Sequence, residues 1–235
     1  MRGPISAIVI LAVLGIVIWL TQRRKKIDET ALSQLAQSEG WQYQKSYELS
    51  QLGSGNVLRY RFSNSTDAGG RWTLDIASAS VSGGPGGAPQ QSTTWRTEDV
   101  KLPDELILIG PRPKDMPANL DFGGALTGMA LQMLLGTMLH GEAPDTTRLH
   151  EVKATGLARQ YLVFATDEAL LGRLLNSQIE TALIELAGSL KEKQRPAIVF
   201  WHRGLQVKCA GMITGPADLQ RIAAMGEALQ AAWSK

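Results

Sequence analysis

Four side chains in this sequence have the chemistry for acid, base or nucleophilic work near neutral pH: His140, His150, His202 and Cys209. The histidines lie too far apart for His-x-His or HExxH, the spacings that turn two imidazoles onto one metal ion, so neither a metal nor a cofactor is implied. His150 and Glu151 form an acid/base pair in composition only, because neighbours on a strand point to opposite faces. His140 closes an apolar run, where a partly charged imidazole suits a helix C-terminus, and His202 sits at a turn. Cys209 needs a neighbouring base to become a nucleophile, and nothing near it in the chain supplies one; it reads as a small buried apolar side chain. GxSxG, GxGxxG and CxxC are all absent. The glycine-rich stretch 82–90, SGGPGGAPQ, lacks the Gly-Lys-Ser/Thr that opens a phosphate-binding helix, and reads as a flexible loop. Trp41, Trp72, Trp95 and Trp201 all fall in predicted strands, where tryptophan belongs to the core more often than to a stacking surface.

With no chemistry to anchor the reading, composition sets the frame. The 235 residues are 44% hydrophobic and 20% charged, which suits a packed core. The net charge of +2 is concentrated at one end: without Arg2, Arg23, Arg24, Lys25 and Lys26 the chain holds 19 basic against 22 acidic residues. A mildly acidic body argues against general nucleic-acid binding, which needs a basic face to displace counterions from phosphates.

Residues 5–20, ISAIVILAVLGIVIWL, carry no charge, and as a helix with Pro4 and Thr21 they reach across most of a bilayer core of about 30 Å. Trp19 stands where an interfacial aromatic is expected, and Arg23, Arg24, Lys25 and Lys26 follow at once. A tetrabasic block where a signal peptide would be cut favours a retained anchor. With one basic residue before the run and four after it, the positive-inside rule places the following domain in the cytoplasm, on a single-pass inner-membrane protein. The expected organisation is therefore an anchor with a basic collar at 1–26, partnered by the lipid bilayer, and a soluble α+β domain at 27–235.

Within that domain, Asp28 caps a predicted helix whose Leu32, Leu35 and Ala36 share a face, with Gly40 as its stop. Trp41, Tyr43 and Tyr47 alternate as on a half-buried strand, and 57–62 and 71–81 continue an antiparallel meander. Strands follow at 93–97 and 105–109, the second apolar from Leu106 onward and so central, before Pro111, Pro113 and Pro117 break the sheet. Two more strands are expected at 149–153 and 161–165. Thr166-Asp167 caps a leucine-rich helix, which Asn176 interrupts. Ser177-Gln178-Ile179-Glu180 has the form of a capping box opening a second helix. A hairpin around Arg203-Gly204 joins strands 197–202 and 205–213, and Pro216 opens a final helix with the stripe Leu219, Ile222, Gly226, Leu229 and Trp233.

The segment 122–139, FGGALTGMALQMLLGTML, runs eighteen residues without a charge. Gly124, Gly128, Gln132 and Gly136 recur every four residues, a groove of small side chains where another helix can approach closely. This favours an internal or partner-facing helix. A place on the bilayer surface, or a second span, is the other reading, against which the glycines and Gln132 count.

The motifs PRPKDMP, this glycine/methionine helix, YLVFATDEALLGRLL, and the closing order of hairpin, GLQV strand and helix resemble poorly characterised bacterial proteins with an N-terminal anchor and a cytoplasmic domain of unknown function. That resemblance covers about two thirds of the chain, and it implies no assigned activity. The expectation from all of this is a mostly antiparallel sheet packed against helices, on a protein that acts as an accessory or interaction subunit of a membrane protein complex. The alternative is a membrane-tethered hydrolase with an unrecognised site. Any small-molecule ligand is unknown.

Overall fold

The computed structural model describes residues 29–49, 56–64, 70–79, 90–114, 135, 146–153, 156–157 and 159–234. The predicted anchor with Trp19, Arg23, Arg24, Lys25 and Lys26, the loop at 82–89, His140, and Gly124, Gly128, Gln132 and Gly136 lie outside them. No helix among the described residues is long and apolar enough to cross a membrane.

The architecture is α+β. Nine strands form one sheet with every pair antiparallel: β1 (Gln42–Leu49), β2 (Asn56–Asn64), β3 (Trp72–Ala79), β4 (Gln90–Thr97), β5 (Ile107–Pro111), β6 (His150–Glu151), β7 (Tyr161–Ala165), β8 (Ala197–Trp201) and β9 (Gly204–Ala210). Their order across the sheet is β1-β2-β3-β4-β9-β8-β5-β7-β6. The helices are α1 (Glu29–Glu39), α2 (Glu168–Leu174), α3 (Ser177–Ser189) and α4 (Pro216–Trp233).

Strand alternation explains the layering, because opposed residues in the register point to the same face. One register row reads Tyr43, Phe62, Leu74, Trp95, Val207, Ile198, Ile109 and Val163 from β1 to β7. It is apolar throughout, and it belongs to the main core, where Leu32, Leu35, Leu174, Leu183, Leu186, Leu219, Ile222 and Leu229 of the helices meet it. Removing each of these large side chains from water is worth about 1.5–3 kcal/mol, so this helix-covered face dominates the fold's stability.

The adjacent row, on the opposite face, changes character halfway. It reads Gln42, Ser63, Thr73, Arg96 and Gln206, then Val199, Leu108 and Phe164, ending at Glu151. The apolar part forms a second, smaller core of Leu106, Leu108, Leu162, Phe164, Ala197, Val199 and Trp201, into which Leu135 is also buried. This accounts for the continuous apolar runs in β5, β7 and β8: those strands are packed on both faces, whereas among the described residues β1 to β4 carry apolar packing on one.

The helices match their sequence signals, with one correction. Asp167 caps α2, its Oδ1 accepting from the Ala169 amide at 2.7 Å. At α3, however, the cap is Asn176, whose Oδ1 accepts from Gln178 and Ile179 at 3.0 Å each, and Ser177 is already the first helical residue. The expected capping box therefore does not form, because an amide one residue earlier reaches the same free N–H groups. Gly226 of α4 faces Trp95 so closely that a β-carbon there would overlap the indole, which is why the buried stripe contains a glycine. Phe200 and Trp233 meet edge to face at 4.8 Å, and the Trp72 indole N–H donates to Glu227 at 2.8 Å, fixing α4 over the sheet.

Three strand expectations also change. Tyr47 was expected half-buried but is 69% exposed, because β1 is the edge strand and the core reaches only Trp41 and Tyr43 on that side. The strand expected at 149–153 shrinks to two residues. Pro111, expected as a breaker, is the last residue of β5.

Candidate binding surface

The half of the second face that carries no apolar packing among the described residues is polar and holds a cluster of charges. Alternation along Leu58-Arg59-Tyr60-Arg61-Phe62 sends both arginines to this face and Tyr60 and Phe62 to the core. Register then sets Arg61 opposite Asp75, and Asp75 opposite Thr94. The guanidinium of Arg61 grips Asp75 with two bonds, Nε to Oδ1 at 2.7 Å and Nη2 to Oδ2 at 3.1 Å. This bond to Asp75 raises the pKa of Arg61 further. Arg59 and Arg96 approach the same carboxylate at 3.9 Å each, from β2 and β4. Arg59 also pairs with Glu48 at 3.2 Å, and Arg96 donates through Nε to the Thr73 hydroxyl at 3.2 Å.

Asp75 is 9% exposed, while the Arg96 side chain is 49% exposed. One sunken carboxylate thus organises three guanidinium groups toward solvent. Among the described residues Arg59 Nε is buried without an acceptor. Lys208, opposite Thr94 on β9, lies at the border with the second core, and burial lowers its pKa. Four cationic side chains, Arg59, Arg61, Arg96 and Lys208, face two anionic ones, Asp75 and Glu48, so this patch is net positive on a domain that is net negative. No aromatic ring occupies these face positions on β2, β3 or β4, so the surface has no platform for stacking nucleobases. What the arrangement offers is planar guanidinium recognition of carboxylate or phosphate groups.

The residues singled out for chemistry are dispersed. His150 is exposed at the β6 edge, with Nε2 3.3 Å from Glu168, whereas Glu151 faces Arg112 at 3.7 Å; they do not share a site. His202 is exposed in the β8–β9 turn. Cys209 is fully buried in the main core, and burial pushes its thiol up to about 12, with Asp218 adding to the shift. Trp72, Trp95 and Trp201 are buried, and Trp41 is partly buried against the same core. No group of three or more potential metal ligands occurs among the described residues. A groove of about 410 Å³ between α3 and α4, lined by Ala182, Glu185, Leu186, Ser189, Arg221, Ala224 and Met225, brings no nucleophile and base together.

Sequence reasoning missed the arginine cluster. The one local signal was the Arg-Tyr-Arg-Phe alternation, which reveals two guanidiniums on a face but not the carboxylate they share. Comparison with family models, with curated proteins and with solved structures returns no match.

Proposed function

We propose that this protein is a membrane-anchored accessory subunit that docks onto a membrane protein complex, using the basic half of its second sheet face to hold an acidic segment of the partner. The observation that carries this reading is the division of that face. Over β5, β7 and β8 it is closed by apolar packing that includes Leu135, while over β2 to β4 it presents three arginines around one sunken aspartate. Asp75 takes only part of the donor capacity of three guanidiniums whose side chains are 26%, 32% and 49% exposed, and the remainder favours recognition of an acidic group. Retention of the apolar segment 5–20 in the inner membrane, with Arg23, Arg24, Lys25 and Lys26 at the cytoplasmic side, would keep the domain beside such a partner.

The test is purification of the full-length protein in mild detergent, as wild type and as the double variant Arg59→Glu/Arg96→Glu. A stoichiometric membrane protein should accompany the wild type at low salt and be lost from the variant, while the far-ultraviolet circular dichroism of the two coincides. Undiminished recovery of the same partner by the variant would sink the assignment of this face. A carboxyl-terminal reporter active only in the periplasm would overturn the topology.

A further inference from the structure

The three arginines around Asp75 are not equivalent. Arg61 places Nε and Nη2 on the two oxygens of Asp75, at 2.7 and 3.1 Å, and is fixed there. Arg96 is tethered through Nε to the Thr73 hydroxyl at 3.2 Å, while its Nη2 stands 3.9 Å from Asp75 Oδ2, outside hydrogen-bond reach. Arg59 is held in the same manner: Nη2 pairs with Glu48 at 3.2 Å, and Nη1 stands 3.9 Å from the same oxygen. Two guanidiniums are thus drawn toward one carboxylate oxygen without being satisfied by it. Since each lies 3.9 Å from that oxygen, Arg59 Nη1 and Arg96 Nη2 are close enough for one further carboxylate to accept a bond of about 2.8 Å from both.

Charge balance points to the same kind of group. The three guanidiniums set against Asp75 and Glu48 leave a single positive charge, whereas Lys208 is buried at the border of the second core. One carboxylate cancels that charge. A phosphate monoester, close to doubly charged at neutral pH, would leave an excess of negative charge beside Asp75. Resting on the docking reading above, we infer that the acidic segment is held through one carboxylate bridging Arg59 and Arg96, and that Asp75 is the positioning residue that gathers these two guanidiniums. An acidic side chain is then required for an acidic partner. Attraction by charge alone predicts the opposite, because Asp75 lowers the positive charge of the face.

The test uses the full-length protein in mild detergent and a rhodamine-labelled dodecapeptide of alternating glutamate and glycine, read by fluorescence anisotropy at neutral pH and low salt. Asp75→Asn keeps the shape of the side chain and an acceptor for Arg61, yet should weaken peptide binding at least about tenfold. Its affinity should also fall less steeply with added salt than that of wild type, although the variant is one charge more positive. Arg96→Lys, which keeps the charge at a half-exposed position but loses the planar fork, should weaken binding by a similar factor. That second variant decides the matter where Asp75→Asn fails to fold, and circular dichroism should match wild type for both. Equal or tighter binding by Asp75→Asn, full retention by Arg96→Lys, tighter binding when one glutamate of the peptide is replaced by phosphoserine, or no binding by wild type would each overturn the inference. The docking reading fails separately, when Arg59→Glu/Arg96→Glu still recovers the co-purifying membrane protein.

Discussion

At the scale of single residues, Cys209 shows how place overrides chemistry. Its thiol is enclosed by the main core, and burial raises its pKa to about 12 from an ordinary value near 9. A group whose folded pKa is raised contributes stability that is complete below the unfolded pKa and lost as pH climbs through the folded one. The urea midpoint should therefore fall between about pH 9 and 12, less steeply for Cys209→Ala than for wild type. Tyr161, also raised chiefly by burial, adds a loss of the same sign. At pH 8 a chromogenic disulfide reagent should find no reactive thiol until denaturant is added, and rapid native labelling would contradict this placement. The buried apolar reading of Cys209 was available from sequence alone, since nothing around it pointed to activation. The role of Asp75 was not. It sits in Trp72-Thr73-Leu74-Asp75-Ile76, an ordinary alternating strand, and acquires three arginine neighbours only when β2, β3 and β4 are brought into register.

At the scale of elements, legibility follows the distance over which each signal acts. The buried leucines of α1 and α2 could be placed from helical spacing, because side chains three and four residues apart share a face whatever the tertiary context. Strands β7 and β8 were visible as short apolar runs that only burial on both faces explains. The start of α3 was misjudged by one residue because Asn176 and Ser177 are both competent caps, and the choice between them rests on backbone angles rather than residue type. Asn176→Ala should cost about 1 kcal/mol in chemical denaturation, whereas Ser177→Ala should change stability by less than about 0.5 kcal/mol. The reverse order would restore the capping box. The length of β6 and the exposure of Tyr47 escaped prediction for a shared reason: both depend on which strand ends up at a sheet edge, and that is a property of strand order.

At the scale of the whole molecule, the two cores are not independent units. Strands β5, β7 and β8 contribute alternate residues to each, so a loss on one face is felt on the other. Leu135→Ala should destabilise the protein by about 2–3 kcal/mol while leaving a single unfolding transition, with near- and far-ultraviolet dichroism changing together. Two separated transitions would mean that the smaller core melts by itself. The overall class, an antiparallel sheet layered with helices, was readable from the alternation and spacing of apolar residues. The division of the second face was not, because Gln206 and Val199 are neighbours only across the β8–β9 hairpin.

The joining of β4 to β9 has a consequence for the birth of the protein. The amino-terminal meander ends at Thr97, yet the strand that completes its inner margin begins at Gly204. During synthesis the nascent chain must carry an unzipped β4 border for more than a hundred codons. Closure over such a sequence separation is slow, and a lingering open border invites association with other nascent chains. The maturation of this molecule should therefore lean on the ribosome's attendant chaperones until its penultimate element emerges.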